Sequence, residues 1–351
     1  MHCVWKERKV KMVTIKDVAQ DAGVSVGTVS NVLNGGNVSE KRRLLVEGSI
    51  KRLGYQVNPL ARGIRVQRTN QIAVILPNVT NLLFGMFLEE LEHLLSLAGK
   101  RVLLCLSDND VKKEAEYFRM AGSGGADGII GVTYSNVEEY VTEHLPFVSF
   151  ERRFPAGIPC VSSDNYRGGR MAAENLVRRG AKNLLFFQMI SSRDNEVRRR
   201  RTGFEEYCSE YGIPYSCVEF SEQQVQSIYS AYSSRSLIRD VLKAYVNGKP
   251  DRKIDGIFAG SDHVALTIVE ELRALGNRVP EDVQVIGYDG LRFMNQGPYL
   301  VSSIRQDMHL AAGACVDRLM RMLDGEQVPS CTDLEVTFVE GGTTLPLCEN
   351  R

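Results

Sequence analysis

From residue 71 onward, short apolar runs alternate with helical patterns, and few architectures accommodate that alternation. The runs are Ile72–Leu76, Val102–Leu106, Gly128–Val132, Phe147–Phe150, Leu184–Phe187, Gly256–Ala259 and Val283–Gly287, and stretches such as Phe84–Ala98, Gly169–Arg179 and Val264–Leu275 stand between them. A strand that returns roughly every 25–30 residues through a helix predicts a parallel sheet with helices on both faces. Seven or more such strands predict two doubly wound α/β lobes.

The first 70 residues follow a different pattern. Residues 14–53 predict three short helices. Thr14-Ile15-Lys16-Asp17 has the form of a capping box, Ile15, Val18, Ala19 and Ala22 fall at helical spacing, and Gly23 supplies the left-handed stop. Ser25 caps a second helix through Leu33, with Val29, Val32 and Leu33 facing inward. After the turn Asn34-Gly35-Gly36-Asn37, Ser39 caps a third helix on Val46, Ile50 and Leu53. Residues 54–70 are polar and basic, as a linker is. Residues 1–12 form a basic arm or mark a translation start placed too early.

Charge separates the same two regions. The whole chain balances 43 Lys+Arg against 43 Asp+Glu, yet residues 1–68 hold 13 basic and 5 acidic side chains. A basic head on an acidic body suits a polyanionic partner. Helix, glycine-containing turn and second helix make a helix-turn-helix, whose second helix enters the major groove. Val26, Gly27, Thr28, Ser30 and Asn31 are expected on its free face. There Asn31 can pair with adenine and Val26 can touch a thymine methyl, while Thr14, Ser25, Thr28 and Ser30 offer hydroxyls to phosphates.

In an open α/β sheet, ligands bind beyond the carboxyl ends of strands. Those ends carry Asn78, Asp108, Thr133, Glu151-Arg152, Ser261-Asp262 and Asp289. Carboxylates, amides and hydroxyls of this kind suit a polyol.

Thr14-Ile15-Lys16-Asp17-Val18-Ala19, Ala22-Gly23-Val24-Ser25, Thr28-Val29-Ser30, Val32-Leu33-Asn34, Val38-Ser39 and Leu53-Gly54-Tyr55, followed by Asn58 and Ala61-Arg62, resemble the head of the LacI/GalR family of bacterial transcription regulators. Residues 71–340 resemble that family's periplasmic-binding-protein-like core through Ser163-Asp164-Asn165-Tyr166-Arg167-Gly168-Gly169-Arg170, Phe258–Asp262, Val285–Asp289 and Ser303–Asp307. The resemblance implies base reading by residues 26, 27 and 31. It also implies a hinge helix over 58–65 that uses Asn58, Ala61 and Arg62, with Ile64 as a wedge where the family usually has Leu. It adds Arg200 to the effector contacts, with Asp289 beside it and Asp262 and Ser261 next. Ser261 stands where many members carry Asn, and Asn78–Phe84 lacks the usual Asn-Pro-Phe, departures that bear on the usual sugar chemistry.

The expected organisation is a helix-turn-helix domain at 13–57, a hinge at 58–70 and an effector-binding and dimerisation core at 71–342. The core's lobes cross near 163, 290–306 and 325, and a tail follows at 343–351. The expected function is a repressor of carbohydrate-related genes that binds a palindromic operator as a homodimer, with a sugar or phosphosugar effector between the lobes. No heptads in the tail suggest a tetramer. Neither a cofactor nor a metal is implied, since the eight cysteines and five histidines show no ligand spacing. No P-loop, H-E-x-x-H, G-x-S-x-G or G-x-G-x-x-G points to an enzyme. No apolar run long enough to cross a membrane and no signal-peptide core occurs, so the cytoplasm is expected. A solute-binding protein for a sugar-like molecule is the alternative, and the head argues against it.

Overall fold

The computed structural model describes residues 13–55, 69–141, 145–154, 157–188, 196–220, 231–246, 253–293 and 297–347. The chain divides into two compact units, residues 1–69 and 70–351.

In the first unit, α1 spans Ile15–Ala22, α2 Val26–Leu33 and α3 Glu40–Leu53. The Asp17 N–H donates to the Thr14 hydroxyl (3.4 Å) and the Asp17 carboxylate accepts the Thr14 N–H (2.8 Å), a complete capping box. Gly23, at φ +65°, ends α1 and frees the chain to turn into α2. Val18, Ala19, Ala22, Val29, Val32 and Val46 make the small core. Ser39 occupies the N-cap of α3 but makes no side-chain cap hydrogen bond, so only its position matches the expectation.

The second unit holds two six-stranded sheets. Its strands are β1 (Gln71–Leu76), β2 (Arg101–Leu106), β3 (Gly128–Gly131), β4 (Phe147–Phe150), β5 (Cys160–Ser163), β6 (Leu184–Gln188), β7 (Tyr215–Glu219), β8 (Gly256–Ala259), β9 (Gln284–Asp289), β10 (Ser302–Arg305), β11 (Cys331–Leu334) and β12 (Thr337–Val339). The first lobe's sheet has the order β11-β5-β4-β3-β1-β2, and the second's β12-β10-β9-β8-β6-β7. All pairings are parallel except β10–β12.

The helices are α4 (Leu82–Leu97), α5 (Val111–Met120), α6 (Asn165–Arg178), α7 (Arg199–Glu210), α8 (Ala231–Val246), α9 (Asp262–Ala274) and α10 (Met308–Leu323). On one face of the first sheet, α4 and α10 bury Ile72, Val74, Ile130, Val148 and Phe150, with Phe87 stacked on Phe150 at 4.6 Å. The opposite face packs Phe118 of α5 against Phe147. In the second lobe, Phe186, Phe204, Phe258 and Tyr288 share one aromatic core.

The chain passes between lobes three times, after β5, between β10 and α10, and between β11 and β12. The third passage falls at 335–336 rather than 325, because β11 still pairs with β5 in the first sheet. Nor does the core stop at 342. The Thr343 hydroxyl donates to the Val285 carbonyl (2.7 Å) and accepts the Ser302 N–H (2.9 Å), fixing the start of the expected tail to β9 and β10.

Helices α6 and α7 touch through glycine. A Cβ on Gly169 would overlap the Arg200 carbonyl, and one on Gly203 would overlap the Tyr166 carbonyl. Only hydrogen side chains let the two backbones approach so closely.

Candidate functional site: a reading helix and an acidic interlobe cluster

In the head, α2 presents Val26 (42% exposed), Gly27 and Asn31 to solvent. These three define the free face. Ser30 is not on it: the side chain is buried, and its hydroxyl oxygen is 3.4 Å from the amide nitrogen of Asn34. At the start of the helix, the hydroxyls of Ser25 and Thr28 bond to each other at 2.9 Å, and the Thr28 N–H donates to Ser25. Thr14 is likewise engaged in its capping box. The polar positions of α2 thus divide between cap, core and free face, which spacing over eight residues did not resolve. Asn58, Ala61, Arg62 and Ile64 lie outside the described residues.

In the body, the run Arg198-Arg199-Arg200-Arg201 separates by helical geometry. Arg199 pairs with Glu196 and Asp333, and Arg201 with Glu205 and Glu219. Arg200 alone turns inward and is 5% exposed. Its Nε donates to Asn165 Oδ1 (2.7 Å), its Nη1 to the Gly260 carbonyl (2.6 Å), and its guanidinium lies 3.5 Å from the Tyr288 ring centre. Three faces of the cation are thereby fixed before any ligand arrives.

Around it stand carboxylates from both lobes. Glu151, at the end of β4, accepts from Asn165 Nδ2 (2.7 Å), the Ser163 N–H (2.9 Å) and the Ser162 hydroxyl (3.2 Å). Asn165 therefore links Glu151 of the first lobe to Arg200 of the second. Asp289, at the end of β9, accepts from Gln306 Nε2 (2.8 Å), and Gln306 Oε1 accepts the Ser163 hydroxyl (2.7 Å). Asp262 uses both oxygens locally, one on the Leu291 N–H and one on the Ser303 hydroxyl (each 2.6 Å). It shapes the turn that follows Asp289.

Among the described residues, the cluster holds more carboxyls than cations. Burial pushes the carboxyls of Glu151, Asp262 and Asp289 upward despite the charge of Arg200, and the neighbouring Asp262 drives Asp289 further, to about 8. The native state therefore holds protons that the unfolded chain releases near the ordinary carboxylate pKa of 3.8. Folded stability from this group is full at acid pH and is lost as pH rises toward about 8. Melting temperatures of the full chain between pH 5 and 8 are expected to fall, and Asp289→Asn is expected to flatten that slope. An unchanged slope in the variant would contradict the assignment.

Backbone strain marks the same places. Among the described residues, five other than glycine have positive φ: Asn70, Asp108, Asn109, Glu151 and Asp289. Four of these follow or end β2, β4 or β9, where the candidate ligand face lies. Non-glycine residues adopt this region at a cost of about 1–3 kcal/mol, and such strain concentrates at functional sites.

Of the remaining expected contacts, three make local hydrogen bonds and Asp108 is exposed. Asn78 Oδ1 accepts the Asn81 N–H (2.9 Å) and the Thr80 hydroxyl (3.1 Å) within its own turn. Ser261 is the N-cap of α9. Asp108 is exposed beyond β2, the edge strand. Arg152 is buried, bonded to the Thr133 and Ser135 carbonyls and to Glu138 (2.6 Å), and its charge acts on Glu114 of α5. Glu114 is fully buried, and burial raises its carboxyl.

Sequence reasoning passed over Asn165, Gln306, Tyr288 and Glu114 as site residues. The first three lie in or beside the quoted segments; Glu114 gave no signal, being one carboxylate on an amphipathic helix.

Residues 14–58 match the family model described as bacterial regulatory proteins, lacI family, and residues 173–344 match that of a periplasmic binding protein-like domain. The sucrose operon repressor of Streptococcus mutans is 32% identical over 336 residues, covering 93% of this chain and 98% of that protein. The ribose operon repressor of Halalkalibacterium halodurans is 30% identical over 311 residues, 88% and 89% of the two chains. Among solved structures, a Lac repressor dimer bound to operator and the anti-inducer ONPF superposes with a TM-score of 0.80 at 24% identity, over 96% of this chain and 100% of that one.

Proposed function

This chain belongs to the lacI family of bacterial regulatory proteins, and from that premise we propose that it represses transcription as a dimer on a palindromic operator, under the control of a neutral sugar bound between its lobes. The relatives are transcriptional repressors rather than enzymes, and this chain is a DNA-binding regulator of the same kind. Residues 13–57 read the operator and the core from 71 onward senses the effector.

The observation that carries the effector proposal is the Arg200–Asn165–Glu151 link with Asp289 beside it, a polar cluster contributed by both lobes. Arg200 donates to a ligand oxygen, and Asp289 and Glu151 accept ligand hydroxyls. Asp262 positions Asp289 by holding its turn. Arg200 already donates to Asn165 and Gly260, and the raised carboxyls of Glu151, Asp262 and Asp289 bond to hydroxyls without full charge, so a neutral polyol fits better than a phosphosugar, which needs more cation than the described residues of the cluster supply. A ligand that closes the lobes shifts the operator-binding state only through different affinity for the open and closed forms, ~1–3 kcal/mol in typical couplings.

Dimerisation is proposed on the first lobe. Val79, Leu82 and Met86, before and along α4, are exposed, as are Leu104 and Leu106 on the edge strand β2. An uncovered apolar edge invites pairing, and a second copy satisfies it. No described helix is long and apolar enough to cross a membrane, and a cytoplasmic location fits operator binding.

Three measurements test this reading. In a thermal-shift series with sucrose, ribose and glucose 6-phosphate, a neutral sugar is expected to raise the melting temperature; a response to the phosphate alone would reverse the charge argument. In a gel shift with DNA upstream of the chain's own gene, a dimer-sized complex is expected, and no preference over unrelated duplex would overturn the operator reading. Asn31→Ala is expected to relax specificity at one base pair by ~1–3 kcal/mol. Uniform weakening on all duplexes would mean that Asn31 does not read a base.

A further inference from the structure

Cys160 opens β5 and Cys331 opens β11, and the two are direct partners in the parallel register of these neighbouring strands. Adjacent strands lie ~4.8 Å apart, inside the ~4.4–6.8 Å between Cα atoms that a disulfide spans. Residues paired in register project from the same face of the sheet. Electrostatics agree with that placement: after burial, the charge of Cys331 is the largest influence raising the Cys160 thiol, and Arg153 acts on both. Among the other described cysteines in strands, Cys105 faces Ile75 and Cys217 faces Phe186.

We propose that Cys160 and Cys331 are a reversible redox site, closed to a disulfide by hydroperoxides. Cys331 is half-buried and Cys160 is buried, which sets the order of events. The Cys331 sulfur attacks the outer oxygen of the hydroperoxide, the O–O bond breaks, and the thiol proton leaves with the alcohol or water. The Cys160 sulfur then attacks the resulting sulfenic acid. An S–S bond forms, the S–O bond breaks, and water departs with the Cys160 proton. Two thiols lose two electrons and one hydroperoxide is reduced to alcohol and water.

Arg153 favours the attacking thiolate, while Asp333, which accepts from the Cys331 sulfur at 3.7 Å, and Glu196 oppose it. Both thiols rest above their ordinary pKa, so the site answers sustained oxidant rather than scavenging it. Its position gives the bond a mechanical consequence. Each cysteine precedes by three residues the last residue of its strand, Ser163 or Leu334, after which the chain leaves for the other lobe. The disulfide ties together two of the three strands that carry those passages.

The site depends on neither the operator nor the effector reading, and its test uses neither. The full chain is exposed to hydrogen peroxide, alkylated, digested without reductant and mapped by mass spectrometry. A cross-linked peptide holding Cys160 and Cys331 is expected, reversed by dithiothreitol and absent from C331S. Circular dichroism of C331S checks that the half-buried position tolerates serine. The proposal is overturned if both thiols stay open to alkylation, if Cys331 proceeds to sulfinic acid without linking, or if either cysteine pairs elsewhere.

Discussion

Replacing Arg200 by alanine is expected to abolish the response to sugar while sparing the reading of DNA. Among the described residues, the guanidinium is the cation whose charge acts on Glu151, Asp262 and Asp289, and it is held by Asn165, the Gly260 carbonyl and the Tyr288 ring. Its removal deletes a fixed donor to the ligand and leaves neighbouring carboxyls less compensated. Leaving the buried acceptors Asn165 Oδ1 and the Gly260 carbonyl without their donor costs about 1–3 kcal/mol each, and with the lost donor to the ligand sugar affinity is expected to fall by at least ~100-fold and the body to melt earlier. Lysine is not expected to rescue, since a point charge cannot span Asn165 and Gly260 while stacking on Tyr288. The check is fluorescence anisotropy of labelled operator with and without the sugar that stabilises the wild-type protein. A variant that still binds operator and still responds at wild-type sugar concentrations would remove Arg200 from the site.

Gly169→Ala is expected to be among the most damaging single-methyl changes in the body. The added carbon meets the backbone of Arg200, not the end of a flexible side chain, so relief requires α6 and α7 to separate. Overpacking of a close contact costs roughly 1–3 kcal/mol and occasionally more; rigid backbone on both sides places this case at the upper end, near 3. At ~2–4 °C per kcal/mol for a unit of this size, the loss is about 6–12 °C in a calorimetric melt. Because the obstructed carbonyl belongs to Arg200, sugar affinity is expected to drop as well. Gly313→Ala is the control: it lies inside α10 with nothing within 4 Å of the added carbon, and gains up to ~1 kcal/mol of helix propensity. Equal melting shifts for the two variants would contradict the close-approach argument.

The architecture was legible in the sequence because buried parallel strands are continuous apolar runs. Those runs gave β1 to β4 of the first sheet and β6, β8 and β9 of the second. β5, β7, β10, β11 and β12 gave no such signal: Cys160–Ser163 and Ser302–Arg305 are polar by composition though largely buried, and Tyr215–Glu219, Cys331–Leu334 and Thr337–Val339 are partly solvated. That is also why the last lobe passage was placed too early. Arg200 could be named from a resemblance, but its selection from four consecutive arginines needed the helix phase, which the partners of Arg199 and Arg201 make visible. Conversely, Asn78 and Ser261 are residues equally suited to capping a turn or holding a ligand. Strand-end position cannot separate those uses; hydrogen bonds can.

The interleaving of the two lobes constrains how the nascent polypeptide acquires its shape on the ribosome. Five strands of the first sheet are complete once Ser163 has been synthesised, yet α10, which covers one of its faces together with α4, begins ~145 residues later. At ~5–20 residues per second, the part of this face that α10 covers waits about 7–30 seconds. Throughout translation of the second lobe, the first is a half-roofed sheet, a natural client for a chaperone that shields apolar surface.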